Sequence, residues 1–376
     1  MKCIIFVCDS RDYHAMDWFH VVKDICVDCE VKVATDVTSD KNEADTLIKV
    51  GDEIIQLFNI SGLLFKRQSR FADIWRNIIK LLTTPLQISG LRRLSRTNEG
   101  AIFHAHSMYY IFLCWLAKVK FIATPMGSDV LVRPDESAFY KYLTKKSLAA
   151  ADQITGDSVK MQEKILELSN RSSLFIQNGI DVRGINSYLN DDTERKAIVS
   201  IRGFYPNYQI DQIISSRKHL KNIVKIKFIY PFYEAGYRES IRQGFESGDE
   251  DLGRLTKDEL YKLLSSTFLA ISIPESDSSP RSVYEAIFSG CCIAISFSPW
   301  VESLPACMYN RLLVVDLTNQ NWLGDAIEKA REISKVKYVP SQSALDLYDE
   351  VASMKIVCRD VYKVDIPVQT EHLIPI

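Results

Sequence analysis

The stretch "AISIPESDSSPRSVYEAIFSGCCIAIS", residues 270–296, decides the fold. Its first apolar run reads as a buried strand, "PRSVYEAIFSG" as a helix with Pro280 near its first position and Gly290 at its end, and "CCIAIS" as the next strand. This is a βαβ unit. Its loop, "ESDSS", lies where a helix N-terminus offers unpaired N–H groups to an anion. Ser278 or Ser279 is expected to cap the helix, and Ser282 adds a hydroxyl in its first turn. Glu285, in the second turn, suits the vicinal hydroxyls of a ribose, and Asp277, ahead of the helix, those of a sugar. Two acids beside a phosphate would repel it without a nearby cation. Arg281 is adjacent, and Arg202 ends the strand-like "AIVSIR". An ordinary N-capped helix answering its macrodipole would carry similar letters.

Outward from this unit, apolar runs alternate with amphipathic stretches in both halves of the chain. The first half holds "KCIIFVC", "EVKVA", "EIIQLFNI", "AIFHAH", "KFIATP" and "SLFIQN"; the second holds "KAIVSI", "NIVKIKFIY", "FLAISI", "CCIAIS" and "RLLVVDL". The pattern predicts an α/β protein with a doubly wound parallel sheet in each half. A length of 376 residues fits two such domains. The polar, breaker-containing "GIDVRGINSYLNDDTERK" reads as the linker between them. Ligands of open α/β sheets bind outside the carboxyl ends of the strands, so two such sheets are expected to face each other across a cleft.

Composition narrows the function. A net charge of −2 gives no global drive toward nucleic acid. The N-terminus reaches Asp9 too soon for a signal peptide, and the longest apolar run, residues 108–117, is too short to span a bilayer. Nine cysteines in apolar surroundings fit reduced thiols in a cytoplasmic protein. Cys26 and Cys29 form a C-x-x-C, but it closes a helix where a thioredoxin-type pair opens one, and no second pair follows for zinc.

The spacing of Asp277 and Glu285 with "EAIFSGCCIAIS" resembles the acid-x7-acid signature of retaining GT-B glycosyltransferases, family 4. "FHAHS", "TPMGSDVL", "FIQNGID", "SIRGFYPNY" and "GRLTKDELYKLL" resemble further motifs of that family, in family order, over residues 101–330. The resemblance implies a GT-B fold of two Rossmann-like domains: an acceptor domain over 1–185, a donor domain over 186–345, and a C-terminal segment, 346–376, packing back on the first. It implies catalytic roles for Asp277, Arg202 and Glu285. Arg202 would neutralise the donor diphosphate, Glu285 hold the ribose, Asp277 touch the donor sugar, and the backbone around Arg281 and Ser282 meet the phosphates. The reaction implied is transfer of a sugar from a nucleotide-sugar donor, with UDP among the candidate nucleotides, to a glycan or lipid-linked saccharide, with retention and without a metal or other cofactor. Alternatives are a nucleotide-sugar epimerase of the same architecture and a degenerate transferase kept as a binding subunit.

Three departures from the family pattern stand out. Tyr208 occupies the place of the family's phosphate-binding lysine. Met126 stands where many members carry a histidine on the donor sugar, leaving Asp129 or His106 to take that contact. The first loop, "CDSRDYHAMDW", lacks the usual glycines and offers Arg11 and His14 to the cleft beside His106, Gly127 and Asp129. His104 and His106 share one face of a strand, but no third metal ligand is evident. The "DED" at 249–251 reads as a solvated loop.

Residues 63–96 form a basic amphipathic segment. Lys66, Arg67, Arg70, Arg76 and Lys80 alternate with Trp75, Ile78, Ile79 and Leu82. Such a segment suits either an anionic membrane surface or a core-facing helix with a basic outer side. The membrane reading makes the protein peripheral on the inner face of the membrane and its acceptor a glycolipid.

Overall fold

The computed structural model describes residues 2–38, 47–60, 63, 72–190, 194–220, 222–277 and 279–366. They fall into two units, Met1–Asn178 with Glu350–Ile376, and Gly179–Asp349.

In the first unit, strands β1 (Lys2–Val7), β2 (Cys29–Thr35), β3 (Glu53–Gln56), β4 (Ile102–His106), β5 (Phe121–Thr124), β6 (Gln153–Gly156) and β7 (Leu174–Phe175) form a parallel sheet ordered β3-β2-β1-β4-β5-β6-β7. In the second, β8 (Ala197–Ser200), β9 (Lys227–Ile229), β10 (Glu250–Gly253), β11 (Thr267–Ser272), β12 (Cys292–Ile295) and β13 (Leu312–Val314) are ordered β10-β9-β8-β11-β12-β13, again parallel. Each sheet reverses direction beside its first strand, between β1 and β4 and between β8 and β11. Those switch points are where a doubly wound sheet opens a crevice. Helices cover both faces, so β11 is buried at every residue and β1 over Ile4–Val7.

The domain limits differ from those read in the sequence. The second unit begins at Gly179, because the polar "linker" folds into a helix, Val182–Tyr188. Asp181 caps it by accepting from Gly184 N at 2.7 Å, and Val182 and Ile185 enter the second unit's core. That unit also extends to Asp349, since Ala344 and Tyr348 join the same core and Tyr348 O accepts from Ile180 N at 2.7 Å.

The helix Glu350–Ile356 and the following turn lie on the first unit. Met354, Val357, Cys358 and Tyr362 share a core cluster with Phe6, Trp18 and Phe19. No described helix is long and apolar enough to cross a membrane.

Two strands had no sequence signal. β6 is short and carries Gln and Thr, and β10 is the acidic segment read as solvated. Asp249, just before β10, is buried in an ion pair with Arg217, while Asp251 accepts from Tyr230 and pairs with Arg238 at 3.0 Å.

Candidate functional site

In the second unit the loops after β8 and β11 are bound to each other. Glu275 N donates to Asn207 O at 2.8 Å, Asn207 Nδ2 to Ser276 O at 3.1 Å, and Gln209 Nε2 to Ile273 O at 3.1 Å. Gly203 lets the first of these loops pack on the loop after β9, because a Cβ there would lie 2.3 Å from the Phe232 ring.

Arg202 leaves β8 into that junction. Its guanidinium donates to Ser282 Oγ at 3.1 Å, forms a short ion pair with the Asp277 carboxylate, and stands 4.5 Å from the centre of the Tyr208 ring. Its Nε is buried with no partner. Burial raises the Tyr208 pKa, with Arg202 opposing, so the phenol stays neutral.

The helix Arg281–Phe288 follows β11. Pro280 occupies its N-cap. Of the two serines expected to cap the helix, Ser279 has its Oγ 3.4 Å from Tyr284 OH, and Ser278 is outside the described residues. Glu285 is buried on this helix, 3.4 Å from the Tyr261 hydroxyl and 3.6 Å from Arg281 Nε. Arg202, Asp277, Ser282, Glu285 and Arg281 thus gather at the carboxyl edge of β8 and β11, with Tyr208 beneath Arg202. Such a group can meet an anion with Arg202 and a diol with Glu285. Asp277 holds the arginine in this arrangement.

The first unit's candidates separate. Arg11 is held by Asp9 through bonds of 2.9 and 2.8 Å, which lower the Asp9 pKa against the opposing effect of burial. Asp129 is committed to structure. It accepts from Met108 N at 2.9 Å and Tyr140 OH at 3.4 Å and pairs with Arg133 at 3.1 Å. Gly127 opens the short helix Gly127–Leu131, whose N-cap is Met126.

His14 and His106 do come together, lining a small cavity with Met126 and with Trp18, Thr124, Thr155, Asp157 and Asn178, which were not read as site residues. Thr124 lies in the motif "TPMGSDVL" and Asn178 in "FIQNGID", whereas no motif marked Trp18, Thr155 or Asp157. His104 is satisfied by Tyr362 OH and by Thr124 Oγ1 at 2.7 Å, and burial depresses its pKa to about 3. His104 and His106 stand 4.5 Å apart between ring centres, and among the described residues no three His, Cys, Asp or Glu are grouped to hold a metal.

Of the basic segment, Lys66, Arg67 and Arg70 lie outside the described residues. Two of the remaining surface candidates turn inward within the helix Ala72–Thr97. Lys80 sits 4.3 Å over Tyr109 and 4.9 Å over Tyr110, and Trp75 Nε1 donates to Leu63 O at 2.6 Å while its ring packs on the Val37–Ile60–Ile79 cluster. Arg76 is partly buried. The outward face carries Ile74, Ile78, Leu81, Leu82 and Leu86, with Leu81 73% exposed and Arg93 and Arg96 beyond them.

Among known families, the one described as Glycosyl transferase 4-like matches residues 3–158. No curated protein matches the chain. Anabaena HepE, solved in complex with UDP and glucose, aligns with a TM-score of 0.71 and 12% identity, covering 97% of this chain and 100% of that one. The sucrose-phosphate synthase of Thermosynechococcus elongatus gives 0.73 at 12% identity, covering 96% and 100%. A glycosyltransferase from Rickettsia africae gives 0.65 at 10%, covering 97% and 99%. At these identities the likeness shows the fold, which is GT-B. The family match covers the first unit, and the fold across both is the one that the resemblance to family 4 implies.

Proposed function

For a chain of GT-B fold whose first unit matches the Glycosyl transferase 4-like family, we propose a retaining glycosyltransferase that uses a nucleotide-sugar donor. The observation that carries this reading is the grouping of Arg202, Asp277, Ser282 and Glu285 at the switch point of the second sheet. Arg202 takes the diphosphate, joined by backbone groups around Arg281 and Ser282. Glu285 takes the ribose hydroxyls and Asp277 the sugar. The bond from the anomeric carbon to phosphate breaks as the bond to the acceptor oxygen forms on the same face. The acceptor proton passes to the leaving phosphate, so the reaction requires neither a protein base nor a resident metal. HepE was solved with UDP, which supports uridine as the first base to test.

The acceptor is a glycan or lipid-linked saccharide in surface polysaccharide or glycoconjugate synthesis, and the protein works in the cytoplasm against an anionic membrane. The exposed aliphatic stripe of Ala72–Thr97, followed by Arg93 and Arg96, supports the membrane contact. The ion pair of Arg202 with Asp277 favours a second reading, a degenerate transferase that binds without turnover, since the cation is already neutralised.

Calorimetric titration with UDP, GDP, ADP and their sugars, repeated on Glu285→Ala, tests both. Binding of one nucleotide that the variant loses, with sugar transfer or donor hydrolysis, supports the transferase. Binding without any turnover supports the degenerate reading. Absence of binding by every nucleotide overturns the site.

A further inference from the structure

The cavity at the carboxyl edge of β4, β5 and β6 has a deep wall that pairs a cleft histidine with a tryptophan given no role above. His106 and Trp18 form it, 1% and 4% exposed, with ring centres 5.1 Å apart and planes edge-on. Both ring nitrogens of His106 and the indole N–H of Trp18 have no hydrogen-bond partner, whereas buried polar groups nearly always find one. His104, two residues earlier on the same strand, has both nitrogens satisfied. On this strand the unmet polarity therefore belongs to the histidine that faces the cavity. Its free volume is about 10 Å³, the size of a single hydroxyl or water. Its rim, His14, Met126, Asp157 and Asn178, is only partly buried.

We propose that this cavity is a hydroxyl-binding subsite in which His106 and Trp18 take one hydroxyl of a sugar ligand that enters past Met126. The donor set selects that chemistry. Indole only donates, and a neutral imidazole offers one donor and one acceptor. A hydroxyl can accept from Trp18 Nε1–H and donate to the bare nitrogen of His106. A carboxylate or phosphate would bring charge toward Asp157, and an ammonium could not accept from the indole. Burial holds His106 far below its ordinary pKa, which keeps the neutral form this exchange requires. A ligand hydroxyl that displaces a water here reproduces the water's bonds, so little is lost on entry. The inference rests on the transferase reading only in identifying the sugar as the acceptor.

The test is a titration of ¹⁵N-labelled full-length protein with the methyl α-glycosides of glucose, galactose, mannose and N-acetylglucosamine, following the Trp18 indole and His106 imidazole resonances. Assignment comes from Trp18→Phe. One glycoside should shift both resonances saturably, and Trp18→Phe and His106→Leu should each weaken its binding roughly tenfold. Sodium sulfate should shift neither. No saturable shift with any glycoside, or undiminished binding in Trp18→Phe, overturns the subsite. A parallel UDP titration, followed through Arg202→Ala, separates the two readings. UDP binding without a glycoside response removes the subsite alone, and a glycoside response without nucleotide binding removes the transferase alone.

Discussion

Arg202 is the residue on which most of the proposed chemistry turns, and its surroundings give opposite expectations for two substitutions. Arg202→Ala and Glu285→Ala each remove a charged hydrogen-bonding group, so nucleotide binding by calorimetry should weaken roughly 10- to 100-fold with the fold intact. Asp277→Asn should instead tighten UDP several-fold, because the carboxylate no longer competes for the guanidinium, while nucleotide-sugar binding gains less or falls. Equal effects on both ligands would refute the assignment of Asp277 to the sugar. His104 supplies a pH expectation. Its folded pKa is about 3, below an unfolded value near 6.5, so the neutral form is favoured by folding. The stability it contributes is full above about pH 6.5 and is lost as pH falls toward about 3, by up to roughly 1.4 kcal/mol per pH unit. Urea midpoints should drop along that limb, and more shallowly in His104→Gln. At this scale the acids and arginines of the second unit were legible, because a βαβ unit puts its loop at one sheet edge. Trp18 was not, since an aromatic at helical spacing looks the same whether its N–H is met or not.

Among elements, the helix Ala72–Thr97 shows how a pattern misleads. Its letters place Trp75, Ile78, Ile79 and Leu82 together, but the roughly 100° turn between successive residues sends Ile79 inward and Ile78 outward. Ile79→Ala should cost about 2–4 kcal/mol in denaturant unfolding. Leu81→Asp with Leu82→Asp should change stability by about 0.5 kcal/mol or less, yet abolish binding to phosphatidylserine liposomes in flotation assays. Liposome binding that survives the double substitution would rule out this face as the membrane contact. β10 teaches the complementary lesson. "GDEDLG" carries too much charge to read as a strand, and the cations Arg217, Lys227, Arg238 and Arg242, all outside the segment, make its acids compatible with a sheet edge. Asp249→Ala leaves Arg217 buried and unpaired and should destabilise the second unit by about 3–5 kcal/mol.

At the level of the whole molecule, alternation of apolar runs was enough for the two parallel sheets, though not for their strand order. The unit limits were less legible, because "GIDVRGINSYLN" hides a short helix behind breaker residues. The first unit is assembled from two separated pieces of chain, 1–178 and 350–376, with the whole second unit between them. Deleting 350–366 should uncover the face of Phe6, Trp18 and Phe19 and leave a protein that binds the dye ANS and loses its upper or lower melting transition. This discontinuity also has a consequence in time. A ribosome making the chain finishes the second unit at Asp349 before it has made the residues that complete the first. The buried His104 therefore waits for Tyr362, some 258 residues behind it. For most of elongation the nascent first unit must keep an apolar face uncovered, which makes it a natural client for a chaperone until the tail emerges.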